Sequence, residues 1–140
     1  MSRVFWDTNL FIYLFENYGD LSKQVISMRE RMLEREDHLF TSALTLGEIL
    51  VKPLEKGDDE LVRNYAEAIG ATATLLPFDR ETAADYARIR KDRSIKAPDA
   101  IQLACAARAR IDLFITNDEH LRSKVIPGIQ FIASLKGAWI

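Results

Sequence analysis

The most constraining feature of the chain is an unbroken apolar run, Val4-Phe5-Trp6, that ends on a lone carboxylate, Asp7. A strand covered on one face alternates apolar with polar residues. A continuous run fits a strand covered on both faces, as in a parallel sheet. Asp7 then stands at the strand's carboxyl end, the edge at which open α/β sheets bind ligands. The pattern recurs. Leu39-Phe40-Thr41 predicts a second strand, Ala73 to Leu76 a third ended by Pro77, Leu113-Phe114-Ile115 a fourth and Ile129 to Ile132 a fifth. Helical spacing fills the gaps. Helices are predicted from Asn9 to Glu16 and from Leu21 to Arg35, the latter after an Asn17–Asp20 turn. The next is capped by Ser42 or Thr45 and falters at Pro53; another opens at Asp58 or Asp59, runs through Ala68 and is closed by Gly70. Asp79 caps a helix from Arg80 to Lys91, and Pro98 opens one running to Arg108. Strands alternating with helices predict a single α/β domain over residues 1–140: a three-layer α/β/α sandwich around a central, mainly parallel sheet of four to five strands.

Element order decides where the acidic residues go. With right-handed crossovers, helices run antiparallel to the strands they join, so their N-termini lie at the strands' carboxyl edge. Asp7 follows the first strand, and Asp118 follows the fourth after only Thr116-Asn117. Asp99 falls in the first turn of the Pro98 helix and Glu48 in the first or second turn of the helix after the second strand. All four are expected at one edge. Singly, each has a plain structural role. Asp7 and Asp118 can be N-caps, Asp99 can complement a helix dipole, and Glu48 can close a capping box, Thr45-Leu46-Gly47-Glu48. Capping does not require all four at one edge. Clustered carboxylates repel one another and need a compensating cation, and an all-oxygen set suits Mg²⁺ or Mn²⁺ rather than zinc.

A formal net charge of −2 gives no global basic signature, so any contact with nucleic acid must run through local patches or metal ions. Arg88, Arg90, Lys91, Arg93 and Lys96 form such a run beside Asp99, as a solvated helix face or as a phosphate track. His38 and His120 lack zinc spacing and read as surface or supporting groups. Cys105 reads as a core residue; being the only cysteine, it excludes an internal disulfide and fits a reducing compartment. The chain has no Gly-rich phosphate loop and no nucleophile elbow. It has no secretory signal and no apolar run of membrane-spanning length, so a cytoplasmic protein without a membrane partner is expected.

Val4-Phe5-Trp6-Asp7-Thr8-Asn9, Leu46-Gly47-Glu48-Ile49, Pro98-Asp99-Ala100-Ile101 and Ile115-Thr116-Asn117-Asp118 resemble the successive acidic motifs of PIN domains. The resemblance covers nearly the whole chain, and its size and spacing are similar to VapC-type toxins of toxin–antitoxin systems. It implies a PIN-like fold and a metal-dependent ribonuclease. Asp7, Glu48, Asp99 and Asp118 match the acidic quartet; Thr8, Asn9 and Thr116 match supporting polar positions. An RNA substrate is implied, and, for a toxin, an antitoxin whose C-terminal segment lies in a groove. PIN domains also serve in RNA processing outside toxin systems.

The expected activity is Mg²⁺- or Mn²⁺-dependent hydrolysis of RNA phosphodiester bonds. Asp7, Asp99 and Asp118 act as first ligands, and Glu48 binds metal or orients the attacking water. A phosphatase on a similar sheet would want a second Asp two residues after Asp7, where Asn9 stands. A non-catalytic module would turn the acidic cluster on a basic partner segment. One helix stripe cannot bury all of Phe11, Ile12, Leu14 and Phe15. Some of them, with Phe11 and Phe15 foremost, are expected in an apolar groove near Asp7 or in a contact between two copies of the chain.

Overall fold

The computed structural model describes residues 1–138; Trp139 and Ile140 lie outside the described residues. Five strands form one sheet: β1 (Arg3–Trp6), β2 (His38–Ser42), β3 (Thr74–Leu76), β4 (Leu113–Thr116) and β5 (Phe131–Ser134). Their order is β3-β2-β1-β4-β5, and every neighbouring pair is parallel. Successive strand residues point to opposite faces, which explains the continuous apolar runs. Val4, Trp6, Leu39, Leu113 and Ile115 join one apolar cluster, while Phe5, Phe40 and Phe114 join the other.

Four helices supply the first cluster: α1 (Thr8–Phe15), α2 (Asp20–Glu34), α3 (Ala43–Glu55) and α4 (Asp59–Thr72). They contribute Leu10, Phe11, Val25, Met28, Met32, Ile49 and Ile69. Each fully buried side chain of this size contributes about 1.5–3 kcal/mol relative to exposure. The second cluster is closed by α5 (Arg80–Ile89), α6 (Ala97–Arg108) and a 3₁₀ turn, Glu119–Ser123. On α6, Ala100, Ala104, Cys105 and Ala106 are buried. Their small side chains let the helix lie close to the sheet, where Phe5 and Phe114 stack with centroids 4.9 Å apart. The expected three-layer α/β/α architecture is therefore present, with five parallel strands.

Several boundaries differ from expectation for identifiable reasons. Pro53 does not end α3, which runs on to Glu55 with Pro53 buried on its inner side. Gly70 does not close α4; the helix continues to Thr72, whose hydroxyl bonds back to the Ala68 carbonyl at 2.6 Å. The last strand starts two residues later than expected. Ile126 to Ile129 form a turn (Ile129 N–H to Ile126 O, 3.0 Å), and pairing begins at Phe131 against Leu113. Gly128 is required in that turn. Its φ is +98°, and a Cβ there would stand 2.6 Å from the Ala107 carbonyl oxygen. Among the described residues no helix is long and apolar enough to cross a membrane.

The strand order fixes where a site can form. From β1 the chain moves outward to β2 and β3, then returns across the sheet to β4 on the other side of β1. Connections therefore diverge between β1 and β4, and a crevice opens at their carboxyl ends. Asp7 follows β1 there, and Thr116 is the last residue of β4.

Candidate active site

Asp7 is built into this crevice from both sides. Its N–H bonds the Ile115 carbonyl at 3.0 Å, extending the β1–β4 pairing by one residue. One carboxylate oxygen accepts the Thr8 N–H at 2.8 Å and caps α1; the other accepts the Thr116 hydroxyl at 2.8 Å. Thr116 Oγ1 in turn accepts the Asp118 N–H at 3.0 Å, and Asp118 caps the 3₁₀ turn through the His120 N–H at 2.9 Å. The capping roles of Asp7 and Asp118 are thus real, and they coexist with convergence because a carboxylate has about four acceptor positions. Glu48 is different, because the expected capping box does not form. Ser42 is the N-cap of α3 and Thr45 lies buried within the helix, while Glu48 accepts the Thr8 hydroxyl at 2.5 Å. Asp7, Asn9, Glu48, Asp99 and Asp118 line one pocket of about 330 Å³, with Thr8, Gln102, Ile12 and Pro98.

Two carboxylates of this pocket, Asp7 and Asp99, resist ionisation. Burial, with a contribution from the Asp118 charge, pushes Asp7 above the usual carboxylate range against the hydrogen bonds it accepts. Asp99 is pushed up to about 6, first by burial and then by the charges of Asp7 and Asp118 and a hydrogen bond with Asp118. Lys96, the residue preceding α6, opposes this only in part. Among the described residues no Lys, Arg, His or Cys lines the pocket. An all-oxygen set whose negative charge is offset only in part suits a hard divalent cation such as Mg²⁺ or Mn²⁺. Among the described residues no group of three or more His, Cys, Asp or Glu side chains is arranged to hold a metal ion as it stands. The bonds to Thr8, Thr116 and His120 turn several carboxylate oxygens toward protein donors.

The site includes a residue that the sequence reading missed. Gln102 is buried beneath the pocket, with Nε2 3.1 Å from Thr8 Oγ1, 2.8 Å from Thr45 Oγ1 and 3.5 Å from Asp7 Oδ1. The available signal was its spacing: three residues after Asp99, it is a polar residue in an otherwise apolar stripe of α6. Thr41 and Thr45, bonded to each other at 2.8 Å, extend this buried polar cluster.

The weaker candidates fall outside the pocket. His38 bonds Thr74 at 2.7 Å at the start of β2, and the His120 ring contacts the Ser94 carbonyl at 3.2 Å. Cys105 is buried with its thiol pushed up to about 11 by burial, so it is inert as a nucleophile. The basic run divides, with Arg88 bonded to Asp85 at 2.9 Å while the Lys96 charge acts on Asp99. Lys124 reaches back to Asp92 at 2.9 Å and Ser94 at 2.7 Å, tying the segment after Asp118 to the one that leads into α6.

Beside the acidic pocket runs an apolar groove of about 550 Å³ between α1, α3 and α4, lined by Phe15, Tyr18, Ile49, Leu61 and Tyr65 among others. Ile12 and Glu48 line both it and the acidic pocket. The expectation of a groove near Asp7 is met for Ile12 and Phe15 and corrected for Phe11. Phe11 is fully buried and packs on Trp6, because it points to the sheet on the inner side of α1. Another cleft, about 740 Å³, is lined by Arg88, Arg108 and Gly128 among others and holds none of the four carboxylates.

The sequence model of the family described as PIN domain matches residues 4–125. The ribonuclease VapC23 of Mycobacterium tuberculosis is 28% identical over 124 residues, covering 86% of this chain and 96% of the relative. Among solved structures, VapBC2 from Rickettsia felis, bound to a DNA fragment from its promoter, is similar at a TM-score of 0.74 with 14% identity, covering 94% of this chain and 97% of that one. DNA-bound VapBC from Salmonella typhimurium is similar at a TM-score of 0.67 with 23% identity, covering 96% and 99%.

Proposed function

The chain belongs to the PIN domain family, and from that premise we propose that it is a Mg²⁺- or Mn²⁺-dependent endoribonuclease, the toxin of a toxin–antitoxin pair. The observation that carries this reading is the gathering of Asp7, Glu48, Asp99 and Asp118 in one pocket with no Lys, Arg or His among its described lining residues. The similarity to a VapC ribonuclease supports the choice of RNA as substrate.

Asp7, Asp99 and Asp118 would hold the ion, which when bound supplies Lewis acidity toward the phosphodiester and toward a water. The chain's own residues do the rest. Thr116 fixes one Asp7 oxygen and the Asp118 backbone together, so the carboxyl ends of β1 and β4 keep their spacing. Glu48, held by Thr8 at the pocket wall, orients the attacking water or joins the ligand set. Burial of Asp7 and the mutual repulsion of the carboxylates leave the site poised to gain from a cation. The test is RNA cleavage by purified protein with Mn²⁺, with chelator, and beside a phosphate-release assay on small phosphomonoesters. Cleavage abolished by chelator is expected. Full cleavage by protein proven metal-free, or phosphate release without RNA cleavage, would overturn the assignment.

The groove bears on the partner. Its apolar wall runs into the acidic pocket at Ile12 and Glu48, which suits a segment carrying apolar anchors followed by a basic side chain. The similar structures are VapBC complexes, which supports an antitoxin as that partner. Phe15→Asp is expected to weaken antitoxin binding before it harms cleavage. Unchanged affinity in the folded variant would remove Phe15 from the interface.

A further inference from the structure

The buried hydroxyls under the carboxylates make more contacts than they have protons, and counting the protons fixes which way the Gln102 amide faces. Thr8 donates its single hydroxyl proton to Glu48 Oε1. Thr8 Oγ1 also lies 3.2 Å from Thr45 Oγ1. With its own proton committed, Thr8 can only accept there. Thr41 Oγ1 lies 2.8 Å from Thr45 Oγ1 and 2.9 Å from the Trp6 carbonyl, so the one Thr45 proton goes to Thr8 or to Thr41, and in both cases Thr45 accepts from Gln102 Nε2 at 2.8 Å. The Gln102 amide can face this cluster only with its NH₂ group. Turned over, its carbonyl would meet two hydroxyls whose protons are spent and the Asp7 carboxylate at 3.5 Å. Its carbonyl oxygen instead accepts the Ser42 hydroxyl, which locks the amide from the far side. Gln102 is 2% exposed, so no bulk water completes the count.

We propose that Gln102 is the positioning residue of the acidic site. Pinned by Ser42, its NH₂ sets the Thr45 and Thr8 hydroxyls so that Glu48 is supplied with a proton from beneath and keeps its other lone pairs for a divalent cation, while the same NH₂ group faces Asp7 at 3.5 Å. The inference rests on the reading of the pocket as a cation site, and it adds the residue that orients that site from α6. Gln102 does not touch the reacting atoms. It acts through Thr8, and its removal should look like the loss of the Thr8 hydroxyl.

Two measurements test this. In metal-free wild-type protein, NMR should find both Gln102 side-chain amide protons protected from exchange and close to Thr8 and Thr45. An NH₂ group facing Ser42 would overturn the proton order. Gln102→Met keeps the volume and removes the donors, and Thr8→Val removes the hydroxyl at nearly constant shape. Each should lower Mn²⁺ affinity, read by calorimetry, about tenfold, the scale seen for partners that orient metal ligands. Each should also lower kcat while leaving KM for RNA nearly unchanged, and Thr8→Ser should restore both. The double variant Gln102→Met/Thr8→Val should be no worse than Thr8→Val alone within about twofold, since the two residues act in one chain. Wild-type Mn²⁺ affinity in folded Gln102→Met, or losses that multiply in the double variant, would overturn the proposal. If Gln102→Met does not fold, the amide orientation in the wild-type protein decides. A wild-type protein that binds no Mn²⁺ overturns the cation reading and with it the role given to Gln102. The proton order is still tested by the amide orientation.

Discussion

The two edges of the sheet both carry carboxylates, and they treat them in opposite ways. At the amino edge, the Asp37 side chain is completely buried. It accepts the Ser2 N–H at 2.8 Å and meets Arg35 at 3.5 Å and the N-terminal ammonium at 3.7 Å. Nearby, Asp112 accepts the Arg3 N–H at 2.8 Å, and the Arg3 guanidinium bonds the Ala109 carbonyl at 2.7 Å and lies 4.5 Å over the Phe40 ring. Asp37 is thus paired with two cations of the chain. At the carboxyl edge, Asp7 meets neutral donors and the Asp118 charge, and Asp99 meets other carboxylates with only Lys96 opposing them. Buried charge is tolerated only when it is paired or neutralised. Asp37 is paired with cations of the chain, whereas Asp7 and Asp99 keep a repulsion that a bound cation would relieve. A carboxylate's function is therefore read from what answers it, not from its burial.

The sharpest way to break this contrast is to remove a charge from each edge in turn. Asp7→Asn should lower metal-dependent RNA cleavage by more than about 100-fold, the upper end for loss of a group that merely orients a ligand. Without metal its melting temperature should be unchanged or higher, because a repulsive charge is gone. Wild-type cleavage by the folded variant would take Asp7 out of the site. A second separation uses the ion itself. Mn²⁺ at about a hundred times its dissociation constant should stabilise the wild-type protein by about 2.7 kcal/mol, and chelator should reverse it. Asp99→Asn should lose most of that gain, and equal stabilisation in both proteins would contradict a shared ligand role. Asp37→Asn should behave in the opposite way to Asp7→Asn. It should cost about 1–3 kcal/mol through weakened buried hydrogen bonds, with cleavage by the remaining folded protein unchanged.

Smaller effects sharpen the contrast. The folded-state pKa of Asp99, about 6, lies above its ordinary value of 3.8. Between these values the folded protein holds more protons than the unfolded chain. The Asp99 contribution therefore makes stability fall as pH rises from 3.8 through about 6. Melting of metal-free protein should accordingly rise as the pH is lowered from 7 to 5, and Asp99→Asn should flatten that slope. An unchanged slope would assign it elsewhere. The smallest expected change is at the amino edge, where Arg3→Met should cost about 1 kcal/mol or less through lost cation–π and hydrogen-bond contacts. Its Mn²⁺ response should equal that of the wild type.

What the sequence determined by itself was the layer plan and the arrival of the acids. Apolar runs without alternation required strands covered on both faces. The order of strands and helices then required Asp7, Asp99, Asp118 and Glu48 to reach one edge, since right-handed crossovers leave no other place for those helix starts. Residues whose role depends on a neighbour distant in sequence were not legible. Thr45 and Glu48 fit a capping box, and only the packing of α3 beside α1 turned Glu48 to Thr8 instead. Phe11 and Phe15 were equivalent as apolar helix residues until α1 was docked, which buried one against Trp6 and set the other in the groove. Gln102 looked like an interruption of an apolar stripe until Thr8, Thr45 and Ser42 met it across 94, 57 and 60 residues of chain. Periodicity and connection handedness are local properties that a sequence carries on its face. Which polar group a side chain meets after folding is a property of the packed structure, and it was the tertiary structure alone that decided it.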